Sequence, residues 1–135
     1  MAGAFQFELV SPERLLLSEE ATMVVVPGAE GEFGIMAGHA PMMSTLRPGV
    51  LRVSGTAGGD QVYYVRGGFA EAGPKGLTVL AEHAIALNDL KADDLARQIK
   101  DAEEDVTDAG DDATREKAAV HLAQLRDVQA ALAAV

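Results

Sequence analysis

The 135-residue chain has no cysteine, no tryptophan, only two tyrosines and four phenylalanines, and 11 Lys and Arg residues against 21 Asp and Glu. Without cysteine there are no disulfides, no thiolate zinc sites and no thiol nucleophiles, and nothing marks an oxidising compartment. The shortage of positive charge leaves a formal net charge of -10 and a pI near 4.6. Such a field repels phosphate backbones and anionic headgroups, and no Lys/Arg cluster creates a local exception, so neither nucleic acid nor direct lipid binding is expected. Apolar runs never reach the ~18 residues that cross a bilayer. The first residues, MAGAFQFELV, lack the basic start and long apolar stretch of a secretory leader. A soluble cytoplasmic protein is the expectation. With 48% hydrophobic residues, the chain can bury one modest core and a small appendage.

Glycine and proline are unevenly spread. All five prolines and every glycine except Gly110 lie at or before Gly76, whereas the segment after Leu80 is rich in Ala, Leu, Asp and Glu, which favour helix. In the first part, Phe5, Phe7 and Leu9 alternate with Gln6 and Glu8, the period of a half-buried strand. TMVVVP, PGVLRVSG, DQVYYVRG and GLTVLA repeat short β-rich runs between Pro27-Gly28, Pro48-Gly49, Gly58-Gly59 and Gly73-Pro74. Tight connections at this spacing suit an antiparallel sandwich or barrel and leave no room for the helical crossovers of a parallel sheet. After Leu80, Leu95, Ile99, Ala102 and Val106 form one apolar stripe; Ala118, Leu122, Leu125, Val128 and Leu132 form another. Between them Gly110 suits a left-handed helix end, and Asp111 or Asp112 suits the start of the next helix. The fold class is therefore α+β: a β-domain over 1–88 and an antiparallel two-helix hairpin over 89–135, with helices at about 91–107 and 112–133. Helices of roughly 15 residues are marginal alone in water, so the hairpin must lean on the β-domain or a partner.

The stretch EGEFGIMAGHAPM, Glu30 to Met42, concentrates the chemistry. An acid–base reading would pair His39 with Glu30 or Glu32. No nucleophile accompanies them, because Ser11 and Ser44 lack a Gly-x-Ser-x-Gly elbow. A turn histidine bonded to backbone is the plainer expectation. Calcium would need regularly alternating Asp/Asn ligands, and His39, His83 and His121 lack the short spacing of a zinc pair. Gly68 to Gly73 opens with the spacing of a phosphate loop, but Pro74 stands where lysine is required. Gly67-Gly68 reads instead as a β-bulge or sharp bend. No catalytic residue, metal or cofactor is expected. The better reading is partner binding, through apolar residues with polar margins around Phe33, Met36 and Met42. Ile35 and Met43 are expected in the interior.

Gly31-Glu32-Phe33-Gly34-Ile35, Gly38-His39-Ala40-Pro41, Arg47-Pro48-Gly49 and Gly67-Gly68-Phe69, followed by LTVLAEHA and an acidic helical hairpin, resemble the epsilon subunit family of the bacterial F-type, rotary ATP synthase. The resemblance covers nearly the whole chain. It implies a flattened N-terminal β-sandwich, a C-terminal pair of helices and a non-catalytic place in the proton-translocating complex, coupling c-ring rotation to the gamma subunit and the catalytic head. By matching position it implies c-ring contact at Glu30, Gly31, Glu32, Phe33 and Gly34, and gamma contact at His39, Ala40, Pro41 and Met42. It also implies a peripheral location on the cytoplasmic face of the inner membrane, and an approach of the hairpin to the catalytic beta subunit that regulates ATP hydrolysis.

Two departures from the family pattern stand out. Some members bind ATP through an Ile/Leu-Asp-x-x-Arg-Ala motif; the ungapped match here puts Lys91 in place of the aspartate and Asp94 in place of the arginine. A phosphate would meet the wrong charge, so no nucleotide site is expected. From Asp89 onward there are twelve acidic and six basic residues, a net of -6, and the second helix offers only Arg115, Lys117 and Arg126 to an acidic partner loop. Weak inhibition is the expectation.

Overall fold

The computed structural model describes residues 3–133. Eight strands come first: β1 (Phe5–Val10), β2 (Leu15–Ala21), β3 (Met23–Gly28), β4 (Gly31–Met36), β5 (Met42–Thr45), β6 (Gly49–Ser54), β7 (Gln61–Gly73) and β8 (Gly76–Ala86). A short 3-10 turn at Leu87–Asp89 leads into α1 (Ala92–Asp108) and α2 (Asp112–Ala133). The strands join in the order β2-β1-β8-β7-β6-β3-β4, with β5 also on β7. This is the expected β-sandwich followed by two helices. One ladder differs from the all-antiparallel expectation: β1 and β8 pair in parallel, from Gln6 with Gly76 to Val10 with Leu80. A helical crossover is needed only when parallel neighbours follow each other in the chain; here the rest of the sandwich makes the connection.

The long strand β7 shapes the domain. Its second half pairs with β5, from Thr45 with Phe69 to Met42 with Ala72, and its first half pairs with β6, from Gly49 with Val65 to Val53 with Gln61. Both ladders keep one register, and the Leu46 N–H still bonds the Gly68 carbonyl at 2.9 Å, so β5 and β6 behave as halves of one bent strand, interrupted where Arg47–Pro48 faces Arg66–Gly67. Gly67 and Gly68 have φ of 73° and 104°, a region side chains avoid. A Cβ on Gly68 would collide with the Leu80 carbonyl oxygen. The pairing of β7 with β8 stays in step on both sides of the glycines, Arg66 with His83 and Gly68 with Ala81, so the feature is a sharp bend and no bulge. Across from it, Pro48 has no N–H for the ladder, and the Arg47 N–H turns to the Pro27 carbonyl at 3.0 Å. The bend folds the sheet on itself. One layer holds β2, β1, β5 and the adjoining halves of β7 and β8; the other holds β4, β3, β6 and the remaining halves. Phe7, Leu9, Val24, Val26, Leu51, Val53, Val65 and Val79 fill the space between them.

The hairpin lies on the outer face of β6 and β7. Alternation in these strands sends Leu51, Val53 and Val65 inward, and Val50, Val62 and Tyr64 outward under Leu95, Ile99, Ala102, Leu125 and Val128. Leu95, Leu125 and Val128 are almost fully buried, each worth about 2 kcal/mol relative to exposure. Val106, at the end of the first stripe, is half-buried. The turn departs from expectation at Gly110, which does not adopt a left-handed conformation; α1 ends at Ala109 in extended backbone. Arg115 replaces the glycine cap, donating to the Ala109 carbonyl at 3.1 Å and to Asp112 at 3.1 Å. Asp111 caps α2, accepting from the Thr114 N–H at 2.7 Å.

These two glycines should respond oppositely to the same change. Gly68→Ala should destabilise the chain by at least about 3 kcal/mol, through steric collision and strain. Gly110→Ala, with open space around it and no positive φ, should stabilise it by about 0.5 kcal/mol by restricting the unfolded chain. Thermal melts of both variants check the pair.

Candidate functional site

Edge strand β4 pairs only with β3, and it carries one group of sequence-selected residues at each end. At its start, Gly28 opposes Gly31 across a tight turn through Ala29 and Glu30, and Gly31 has φ of 141°. Glu30, Glu32 and Gly34 are exposed, Gly31 is half-exposed, and Phe33 turns its half-buried ring onto the core. Only a glycine fits at position 28, because a Cβ there would lie 2.7 Å from the Phe33 ring. The turn is therefore tightly packed, and Glu30 within it and Glu32 just after it expose their carboxylates. At the other end, Gly38 with φ of 82° starts a loop in which His39, Ala40 and Pro41 are exposed, while Met42 packs against the core. The His39 N–H donates to the Met36 carbonyl at 3.2 Å, and the ring Nδ1–H donates to the Ala40 carbonyl at 2.7 Å.

Strand β4 holds these ends about 16 Å apart, at ~3.3 Å per residue. The structure thus separates His39 from Glu30 and Glu32, which do not form the acid–base pair. The Ser11 hydroxyl is bonded to the Arg14 carbonyl and the Ser44 hydroxyl to the Thr45 carbonyl. No group of three or more His, Asp or Glu converges as metal ligands among the described residues. The stretch from Gly68 to Gly73 lies within β7, so its backbone N–H groups serve a ladder and form no phosphate loop.

One residue lies on the opposite face from the one expected. Met43, expected inside, is 63% exposed, because β5 alternates and Met42 takes the inward position. Phe69, 38% exposed, lies on the same outer face, since Thr45 pairs with Phe69 and Met43 with Glu71. Together they extend the His39 loop into an apolar patch edged by Glu71. A strand only four residues long gives too little alternation to fix its phase from sequence. Ile35, by contrast, is buried as expected.

Lys91 and Asp94 sit at the start of α1, Lys91 flanking the helix and Asp94 in its first turn, 3.6 Å from Arg97. Asp94 lines a cleft of about 420 Å³ with Arg14, Arg66, His83, Tyr64 and Gln98. The Tyr64 hydroxyl donates to Gln98 of α1 at 3.4 Å, a direct polar link between sheet and hairpin. Burial raises the Tyr64 phenol above its ordinary 10.0, opposed by Arg66.

The fold is a β-sandwich with a helical hairpin docked on one outer face, and its edge strand β4 carries an exposed group at each end. The family described as ATP synthase, Delta/Epsilon chain, beta-sandwich domain matches residues 4–87. The chain belongs to this family, on its epsilon-chain side. It is 54% identical over 132 residues to the ATP synthase epsilon chain of Mesorhizobium japonicum, covering 98% of each chain. It is 53% identical to that of Parvibaculum lavamentivorans, covering 96% of this chain and 98% of the relative. Among solved structures, a chain of the Euglena gracilis mitochondrial ATP synthase, in an assembly of OSCP, F1 and c-ring, matches with a TM-score of 0.77 and 26% identity, over 96% of this chain and 81% of that one. A chain from the Tetrahymena thermophila mitochondrial ATP synthase central stalk and c-ring shares the fold, with a TM-score of 0.71 at 15% identity over 97% and 98%.

The Tyr64 link gives hairpin docking an alkaline limit. The neutral phenol is the docked form, so its contribution is complete below pH 10.0 and fades as pH rises through the elevated folded value. Amide exchange of α1 and α2 should accelerate in that window relative to β1 and β8. Tyr64→Phe should remove the added acceleration.

Proposed function

We propose that the chain is a non-catalytic rotor component of the proton-translocating ATP synthase, joining the c-ring to the gamma subunit and the catalytic head. The observation that carries this reading is the placement of the two sequence-selected groups at opposite ends of one rigid edge strand, in a chain that matches epsilon chains end to end. The stiff turn of Glu30, Gly31, Glu32, Phe33 and Gly34 meets the polar loops of the c-ring. His39, Ala40, Pro41 and Met42, with Met43 and Phe69 beside them, meet gamma. Torque passes through a body whose strands continue from one layer into the other, so load on one contact reaches the other without bending a linker. The chain needs no cofactor for this, and it sits peripherally, on the cytoplasmic face of a bacterial inner membrane; no helix among the described residues is long and apolar enough to cross a bilayer.

The functional division falls at 1–88 and 89–135, of which residues 1–2 and 134–135 lie outside the described residues. The hairpin is the regulatory part, and it approaches the catalytic beta subunit only weakly. Of the three basic residues on α2, Arg115 is engaged by Asp112 and Arg126 by Glu103 of α1 at 3.0 Å. Lys117 has no ion pair among the described residues. Extending the hairpin would have to break these contacts and bring a net-negative segment towards an acidic loop. Asp94 in the first turn of α1 leaves no phosphate clamp at the degenerate motif.

The absence of cysteine makes a clean test available. Glu32→Cys, the only thiol in its chain, should cross-link to the c-ring in assembled complex, and His39→Cys should cross-link to gamma. Exchange of those two partners, or capture of neither, would contradict the assignment. Deleting 89–135 should raise ATP hydrolysis by the complex by about twofold or less, the scale of screened surface pairs. A much larger rise would show a strong inhibitor.

A further inference from the structure

The outer face that carries the hairpin ends in a group of four charges. On β3, β4 and β6, Pro27 pairs with Glu32 and Val25 pairs with both Gly34 and Arg52, so Glu32 and Arg52 project from the same face. Arg47 joins them from the interrupted corner before β6. Here α2 closes over the strands: Val128 is fully buried, and its neighbour Asp127 lines, with Glu32, Arg47, Arg52 and Pro27, a cleft of about 360 Å³. No pair among these four charged groups approaches within ion-pair distance among the described residues. Two cations and two anions thus line one open cleft, and among the described residues neither anion is ion-paired with either cation. One anion belongs to the start of edge strand β4, beside the β3–β4 turn, and the other to the hairpin.

We infer that Arg47 and Arg52 form a shared charge clip for which Glu32 of the turn and Asp127 of the hairpin compete, so that the ionic state of the turn sets how firmly α2 is docked. Neutralising Glu32, or drawing it away, turns both arginines towards Asp127 and tightens the hairpin. Releasing α2 leaves the arginines to Glu32. Because the coupling is a free energy shared between two sites, it acts equally in both directions. It holds for the free chain, whatever the turn contacts in an assembly.

Hydrogen exchange of the last turns of α2, measured on the full free chain at low ionic strength, tests the clip. Glu32→Gln should slow exchange there by about threefold, the scale of one exposed ion pair. Asp127→Arg and Arg52→Glu should each speed it by a similar factor, and the swapped pair Arg52→Glu with Asp127→Arg should recover most of the loss, which a merely structural role would not. Raising the salt concentration should erase all of these differences. Unchanged exchange in Glu32→Gln, or no recovery in the swapped pair, would overturn the inference. Exchange of β1 and β8 serves as the internal control for folding.

Discussion

Everything in this molecule depends on the bend that two neighbouring strands make together. At Gly67 and Gly68 the backbone takes conformations closed to side chains, and β8 packs so near that a Cβ on Gly68 would strike the Leu80 carbonyl. Opposite, Pro48 has no N–H to offer the ladder, while Leu46 keeps its bond to the Gly68 carbonyl and the Arg47 N–H reaches Pro27 on the neighbouring strand. Two chemically different devices, one permissive and one restrictive, thus act on one corner. Each strand keeps its register through the corner, so both layers are cut from the same long strands. A sandwich made this way has no independent sheets to slide past one another.

The bend also makes the seat of the hairpin. By turning the first half of β7 beside β6, it presents Val50, Val62 and Tyr64 as an outward apolar strip, and this strip receives helices that would be marginal alone. The hairpin's own stripes are narrow and its surface strongly acidic, so its position rests on a few large contacts, Leu95, Leu125 and Val128, together with the Tyr64 hydroxyl. An element held by few large contacts is the kind that opens locally before a strand core does.

Much of this was legible in the residues. The alternation of Phe5, Phe7 and Leu9, the clustered turn residues up to Gly76 and the two helical stripes indicated a β-domain with a hairpin, because period and punctuation are local properties. What escaped was non-local. The parallel pairing of β1 with β8 follows from where the chain's first strand finds a vacant edge, which no local pattern encodes. Gly110 looked like a left-handed cap, but Arg115 reaches back to the Ala109 carbonyl and makes that cap unnecessary. Met43 fell on the outer face because β5 is too short to fix its own phase. At the candidate site, the turn histidine bonded to backbone was foreseeable, whereas the face shared by Met43 and Phe69 required the strand register. Motif order, more than any single residue's chemistry, pointed to the family.

That this acidic module works only as part of a larger rotor is a proposal. It is tested most directly by isolating a tagged copy from detergent-solubilised membranes under conditions that keep the ATP synthase intact, and identifying every co-eluting chain by mass. Recovery of the gamma subunit together with the c-ring and the catalytic subunits is the expected result. Recovery of the protein alone would contradict it, and would leave a free-standing acidic module whose exposed Met43 and Phe69 await another partner.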